Sequence, residues 1–287
     1  MKRGLWILTA AALLLVGMTG CGREPKDLVN VVSREDGSGT RGAFVELLGI
    51  QGPDEQGEKI DQTTLEAVIT NSTSVMLTLV AGDQNAVGYV SLGSLSEHVK
   101  ALAIDGVPPT IQSVKGGTYP VARPFNIVTG DALIPLAQDF IRFILSGQGQ
   151  AVVEANGYVS ALEGQAFAPA TPQPEGKLAV SGSSSVTPVM EKLAEAYGKQ
   201  NPGATIEIQQ SDSTTGINTV AEGISHIGMA SRNLKESESQ KGLKATVIAL
   251  DGIAVIVHND NPLTEITAEQ AADLFRGSTL FWSQVQG

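Results

Sequence analysis

The chain has 287 residues, enough for one large domain or two small ones. Its formal charge of −11 leaves no basic stripe to displace counterions, which argues against nucleic acid as a partner. A single cysteine excludes an intramolecular disulfide, and three histidines (His98, His226, His258), none in a metal-ligand pair, give no reason to expect a metal or a cofactor. Lys2 and Arg3 precede an apolar run from Leu5 to Val16 and the small residues of "MTGC", ending at Cys21. That pattern reads as a secretory signal over 1–20, too short for a comfortable transmembrane span. "LVNVV" (28–32) predicts a strand, and Ala43, Phe44, Leu47 and Leu48 share one face of a helix stopped by Gly49. "AVGYVSL" (86–92) and "FNIVT" (125–129) read as strands, and Leu136, Phe140 and Ile144 mark a helix before "SGQGQ" interrupts it. "GQAFAPATPQPEG" (164–176) has three prolines within six residues and reads as a semi-rigid exposed linker. After it, "KLAVSG" leads into a helix with Pro188 at its start and Met190, Leu193, Ala194 and Tyr197 along one face. "TIEIQQ" is an alternating strand and "IAVIV" (253–257) a fully buried one. This rhythm argues an α/β protein with mostly parallel sheets.

The chemistry concentrates in strand-to-helix turns rich in small hydroxyl residues. "SREDGSGTRGAF" (33–44) contains Gly37-x-Gly39-x-x-Gly42, a weak match to a dinucleotide turn because Arg34, Glu35 and Asp36 crowd its entry. A nucleophilic Ser38 lacks the G-x-S-x-G elbow and a nearby base. An anion cradle fits better: backbone N–H groups at a helix N-terminus, hydroxyls of Ser38 and Thr40, and the guanidinium of Arg34, with Asp36 placed to orient it. Alone, the turn could equally be a capped helix start. "SGSSSVTP" (181–188), "QQSDSTTGI" (209–217, with Ser213 or Thr214 at the cap) and "IGMASRNL" (227–234, with Ser231) repeat the chemistry. In an open α/β sheet such turns gather beyond the carboxyl ends of strands, where they can surround one small oxyanion.

"MTGC" resembles the lipobox of bacterial lipoproteins, in which the cysteine, here Cys21, is lipidated. "REDGSGTRGAF", "SGSSSVTPVMEKLAEAYGKQNPGATIEI", "IGMASRNLK" and "VIALDGIAVIVHNDNP" resemble the phosphate-binding lipoproteins of ABC transporters, the PstS family. "AVGYVSLGSL", "GGTYPVARPFNIVT" and "FIRFILSGQGQAVVEANGYVS" extend the resemblance over nearly all of the mature chain. The order differs from the family's, since residues 28–160 resemble its second part and 177–287 its first. A circular permutation explains this, a truncated gene being the alternative. The resemblance implies a two-lobe periplasmic-binding-protein-like fold (type II), with lobes at 28–118 plus 258–287 and at 119–257, closing on inorganic phosphate. It implies Arg34, Ser38, Gly39 and Thr40 on one lobe and Ser185, Val186, Thr187 and Ser213 on the other as the phosphate ligands. Where some members have an aspartate accepting the ligand's proton, this chain has Ser231, and Asp251 is the candidate to take over that role. The expected protein is a monomeric, non-enzymatic solute-binding lipoprotein on the extracytoplasmic face of the membrane, serving ABC permease subunits. A sensor or scaffold with a vestigial pocket, or a binder of another oxyanion such as sulfate, is the alternative.

Overall fold

The computed structural model describes residues 27–54 and 56–285; the signal segment and Cys21 lie outside them. The chain opens with β1 (Asn30–Arg34) and α1 (Gly39–Leu47), then a small hairpin of β2 (Gln51–Pro53) and β3 (Lys59–Asp61). β4 (Val68–Thr70) leads into α2 (Thr73–Ala81), followed by β5 (Ala86–Ser91), β6 (Val99–Ala101), β7 (Ala103–Ile104) and α3 (Ile111–Lys115). β8 (Ala122–Thr129) carries the chain into a second region of α4 (Pro135–Ile144), α5 (Gly147–Ala155) and β9 (Val159–Ser160). There follow β10 (Gly176–Ser183), α6 (Thr187–Gln200), β11 (Ala204–Ser211), α7 (Ser213–Ala221), β12 (Ile227–Ala230) and α8 (Glu236–Ser239). β13 (Lys244–His258) returns to the first region, which β14 (Glu265–Ile266) and α9 (Ala268–Arg276) complete.

The main sheet runs β11-β10-β12-β8-β13-β5-β1-β4. Its flanks are parallel, as the βα rhythm leads one to expect: β10 lies between β11 and β12, and β1 between β4 and β5. Its centre is antiparallel, because β8 and β13 run past each other as one long ladder with a register shift between Val247 and Ala249. β5, parallel to β1 and antiparallel to β13, is buried at all six positions, which is why it reads as a run and not as an alternating strand.

Two large cores flank this ladder. Phe44, Tyr89, Ile104, Val121, Ile253, Phe275 and Trp282 belong to one; Phe125, Phe140, Val180, Met190, Tyr197 and Ile248 belong to the other. In the first, Phe44 stacks on Tyr89 at 4.1 Å, and both rings meet Phe275 edge-on. The chain passes from one core to the other between Val121 and Phe125 on β8, and back between Ala249 and Ile253 on β13. Ile253, Val255 and Val257 therefore pack with the first core, although the sequence division at 257/258 places them with the second. β13 is a continuous strand of 15 residues serving both cores, so no turn separates them there.

Two junctions matter for chain order. The described ends meet: Trp282 N–H donates to the Asp27 carbonyl at 3.0 Å, Val29 N–H to Leu280 at 2.8 Å, and Leu28 bridges Phe281. Ser283 also donates from its backbone N–H to the Asp27 carboxylate at 3.2 Å. The proline-rich segment 164–176 keeps exposed side chains, but its backbone is fastened to the second core. Gly147 N–H donates to Gln165 O at 2.7 Å, Ala170 N–H to Asp139 Oδ1 at 3.3 Å, and Asn201 Nδ2 to Pro174 O at 2.7 Å. Phe167 packs edge-on against Phe143. Asp139, itself buried, also accepts from the Tyr197 hydroxyl at 2.8 Å and pairs with Arg142.

Candidate functional site

Four helices begin at the carboxyl ends of sheet strands and point their N-termini at one region between the cores: α1 after β1, α2 after β4, α6 after β10 and α7 after β11. Each presents the positive end of its peptide dipoles and N–H groups without intrahelical partners. The caps are divided between hydroxyls and a carboxylate. Ser38 caps α1, accepting from Arg41 N–H at 3.3 Å, and Ser72 caps α2, accepting from Val75 N–H at 3.2 Å. At α7 the cap is Asp212, which accepts from Thr215 N–H at 2.9 Å, so Ser213 is free to turn inward.

The hydroxyls meet across the two cores. Thr40 Oγ1 lies 2.8 Å from Ser185 Oγ, and Thr73 Oγ1 lies 3.2 and 3.4 Å from Ser184 Oγ and Ser185 Oγ. Ser231 Oγ accepts from Ser183 Oγ at 3.0 Å and stands 3.4 Å from Ser213 Oγ, while Ser231 N–H donates to Ser213 Oγ at 3.1 Å. All of these residues are buried. Gly39 lies against Ser213 and Ser231 so closely that a Cβ there would collide with the first and stand 2.7 Å from the second hydroxyl. Only glycine lets the α1 backbone approach this nearly. Val186, at the N-cap of α6, is fully buried and contributes backbone; Thr187 donates its hydroxyl to Ser183 O at 3.1 Å, so its side chain is spent on the turn.

Arg34, at the end of β1, is the guanidinium of the site and only 2 % exposed. Its Nη2 donates to Ser184 Oγ at 3.0 Å, and its Nε and Nη2 form a fork on the Glu35 carboxylate at 2.8 and 2.7 Å. The orienting role expected of Asp36 thus falls to Glu35. Asp36 points to solvent, its side chain 95 % exposed, and pairs with Arg41 at 2.7 Å. Alternation along a strand would put Arg34 and Asp36 on one face, but β1 ends at Arg34, so that pattern does not extend through the turn.

Asp251 also departs from expectation. Its Oδ1 accepts from Ser91 Oγ at 2.7 Å and Leu92 N–H at 3.1 Å, and its Oδ2 from Arg123 Nε and Nη2 at 3.2 and 3.1 Å. Desolvation pushes this carboxyl up and the Arg123 guanidinium down; their mutual attraction opposes both shifts, and the Ser91 hydrogen bond opposes that of Asp251. With its oxygens turned to these donors, Asp251 joins β8 to β13 where the chain passes between the cores, and it is not part of the hydroxyl cluster. Arg123 links the two, since its Nη1 donates to the Ser231 carbonyl at 3.2 Å. The residues the sequence reading missed are Thr73, Ser184 and Glu35. "NSTS" (71–74) carries the same small-hydroxyl signature as the turns that were legible.

The PBP superfamily domain profile matches residues 24–148 and 168–287. The phosphate-binding protein PstS 2 of Streptococcus agalactiae serotype V is 50% identical over 287 residues, covering 98% of this chain and 97% of that one. This chain belongs to the PstS family. The PstS 2 of Streptococcus pneumoniae serotype 4 is 46% identical over 289 residues, with 98% of each chain covered. A crystal structure of a phosphate ABC transporter, phosphate-binding protein from Streptococcus pneumoniae TIGR4 superimposes with a TM-score of 0.71 at 48% identity, covering 90% of this chain and 99% of that one. Among solved structures, then, the PstS fold is shared over most of the chain, with the hydroxyl turns inside the matched segments.

Proposed function

We propose that this protein captures inorganic phosphate between two lobes and delivers it to an ABC permease, without covalent chemistry. The observation that carries the reading is the meeting of four helix N-termini and a ring of buried hydroxyls around one buried arginine. Such a set supplies neutral donors and dipoles to a doubly charged oxyanion, with Arg34 as a fixed cation, in a site sheltered from competing water. The ligands are Arg34, Ser38, Gly39 and Thr40 from one lobe, and Ser185, Val186, Thr187, Ser213 and Ser231 from the other. The lobes follow the two cores, 27–121 with 253–285 and 125–249, and hinge on β8 and β13. The chain is a circular permutant of the commoner family order, supported by the joined ends at Asp27 and Ser283 and by the fastened junction at 164–176. We also infer a lipid anchor on Cys21 and work as a monomer on the extracytoplasmic face, supported by the signal-like start and lipobox-like "MTGC".

Isothermal titration of phosphate-stripped protein tests the function. Phosphate is expected to bind with micromolar or tighter affinity and sulfate more weakly, and Arg34→Ala is expected to weaken phosphate by about a hundredfold, as loss of a charge-assisted fork does. Sulfate binding without phosphate binding would make this another oxyanion's carrier. An Arg34→Ala protein indistinguishable from the parent would leave the site without a ligand role.

A further inference from the structure

The ligands named so far lie where α1, α6 and α7 begin and, for Ser231, just after β12; the turn Thr70–Thr73 at the start of α2 meets the same point but has supplied none of them. Thr73 is the first residue of α2 and is 7% exposed. Its hydroxyl is not needed for capping, because Ser72 already accepts from Val75 N–H. The same division of labour holds at α7, where Asp212 caps and Ser213 turns inward. Thr73 Oγ1 reaches Ser184 Oγ at 3.2 Å, and Arg34 Nη2 reaches that same oxygen at 3.0 Å. The helix-starting hydroxyl and the guanidinium of the site therefore converge on one atom, the first from α2 and the second from β1.

A second, independent feature lies three residues earlier, at the end of β4. Thr70 ends β4 directly opposite Arg34 in the parallel register, so both side chains leave the same face of the sheet. Its hydroxyl is buried and has no hydrogen-bond partner among the described residues. A buried hydroxyl without a partner forfeits its hydrogen bonds to water with nothing in return, so one standing beside the ligand-binding arginine calls for a partner.

We propose that Thr73 is a direct ligand of the bound oxyanion and that Thr70 supplies a further hydroxyl beside Arg34, making α2 the fourth wall of the cradle. This rests on the phosphate reading of the same site. A hydroxyl donates to an unprotonated oxygen or accepts from a protonated one, so this wall can serve phosphate in either form. It also gives the cradle an acceptor that does not depend on a carboxylate, with Asp251 committed to Arg123 and Glu35 to Arg34.

The test is titration calorimetry of inorganic phosphate into the phosphate-stripped full-length protein, with Thr73→Val, Thr73→Ser and Thr70→Val measured beside the parent and Arg34→Ala. Thr73→Val keeps the shape and removes the hydroxyl; it is expected to weaken phosphate about tenfold or more, and Thr73→Ser to stay within about threefold of the parent. Thr70→Val is expected to weaken binding by about three- to tenfold. Thr73→Val within about twofold of the parent, or Thr73→Ser as weak as Thr73→Val, overturns the ligand role. Should Thr73→Val not fold, Thr73→Ala against Thr73→Ser makes the same comparison. Small-angle scattering of the ligand-free variants is expected to match the parent; an expansion in Thr73→Val alone would make the residue an inter-lobe latch and overturn the proposal. A parent that binds no phosphate while folding normally would instead remove the underlying function.

Discussion

At the scale of single residues, the site is governed by close approach and by competition for charge. Gly39 admits no side chain without collision with Ser213 and Ser231. Gly39→Ala is therefore expected to abolish phosphate binding while leaving the ligand-free melting temperature nearly unchanged, since only the approach of the two cores is blocked; calorimetry and thermal melting check the pair. Arg34 is held by Glu35, which orients it but also opposes the charge an anion would meet. Glu35→Gln keeps an acceptor for the fork and removes the negative charge. At an effective dielectric near 20 this repulsion is worth a few kcal/mol, reduced by the partial exposure of Glu35, so phosphate affinity is expected to rise about three- to tenfold at low salt and less at high salt. Calorimetry at two ionic strengths tests this, and unchanged or weaker binding would mean that orientation outweighs charge. Much of this scale was legible in the sequence, because Arg34, Ser38, Thr40, Ser185 and Ser213 lie in short turns of distinctive composition. The roles of Asp36 and Asp251 were not, because which carboxylate faces which guanidinium depends on a register only the folded sheet defines: Arg123 stands opposite Asp251 across β8 and β13.

At the scale of elements, α1, α4 and α6 were readable from an apolar face, whereas α2 and α9 were not read. α1, α4 and α6 carry spaced core residues such as Phe44, Phe140 and Met190. α2 (TSVMLTLVA) is apolar around most of its circumference, with only Thr73, Met76 and Val80 buried, so no stripe announces it. The strand before it is equally quiet, since Val68 and Ile69 are about half exposed. Thr73 was overlooked for that reason and not for want of a hydroxyl signature. β13 was seen only in its second half, because the Asp251–Gly252 pair reads as a turn; in the fold the aspartate is consumed by Arg123 and the glycine sits against Val114 and Tyr119. α7 also packs closely on β10 near the site: a Cβ at Gly216 would stand 2.5 Å from Gly182 Cα and 2.7 Å from the Ser181 carbonyl. Gly216→Ala is expected to cost about 1–3 kcal/mol, despite alanine's better helix propensity, and to lower the urea midpoint without changing the slope.

At the scale of the whole molecule, buried phenols link stability to alkaline pH. Burial pushes Tyr89, Tyr158 and Tyr197 up to about 12, and raises Tyr119 as well. Unfolded tyrosine ionises near pH 10, so the folded state resists deprotonation that the unfolded chain accepts. The stability from this source is complete below about pH 10 and is lost as pH rises towards about 12. Phenolate absorbance near 295 nm and far-ultraviolet circular dichroism are expected to change together over that interval. Chain order is testable too. A protein opened between Ala170 and Thr171, with its present ends joined, is expected to fold and bind phosphate as the parent does, because Asp27 and Ser283 are already in contact. The family was legible from the resemblance of its segments; the line between the cores was not, since β13 belongs to both.

That line has a consequence for how the molecule comes into being. One core is written as a single run, 125–249, while the other needs both 31–121 and 253–285, with Val159 alone reaching into it from the run between. A chain emerging amino-terminus first delivers β1, α1 and β5 early, yet their neighbour in the sheet, the far half of β13, arrives near the end. The segment that begins first must therefore finish second. Until Ile253–Val257 emerge, β5 keeps an open edge, and the half of the cradle that holds Arg34 waits on the half that holds Ser213.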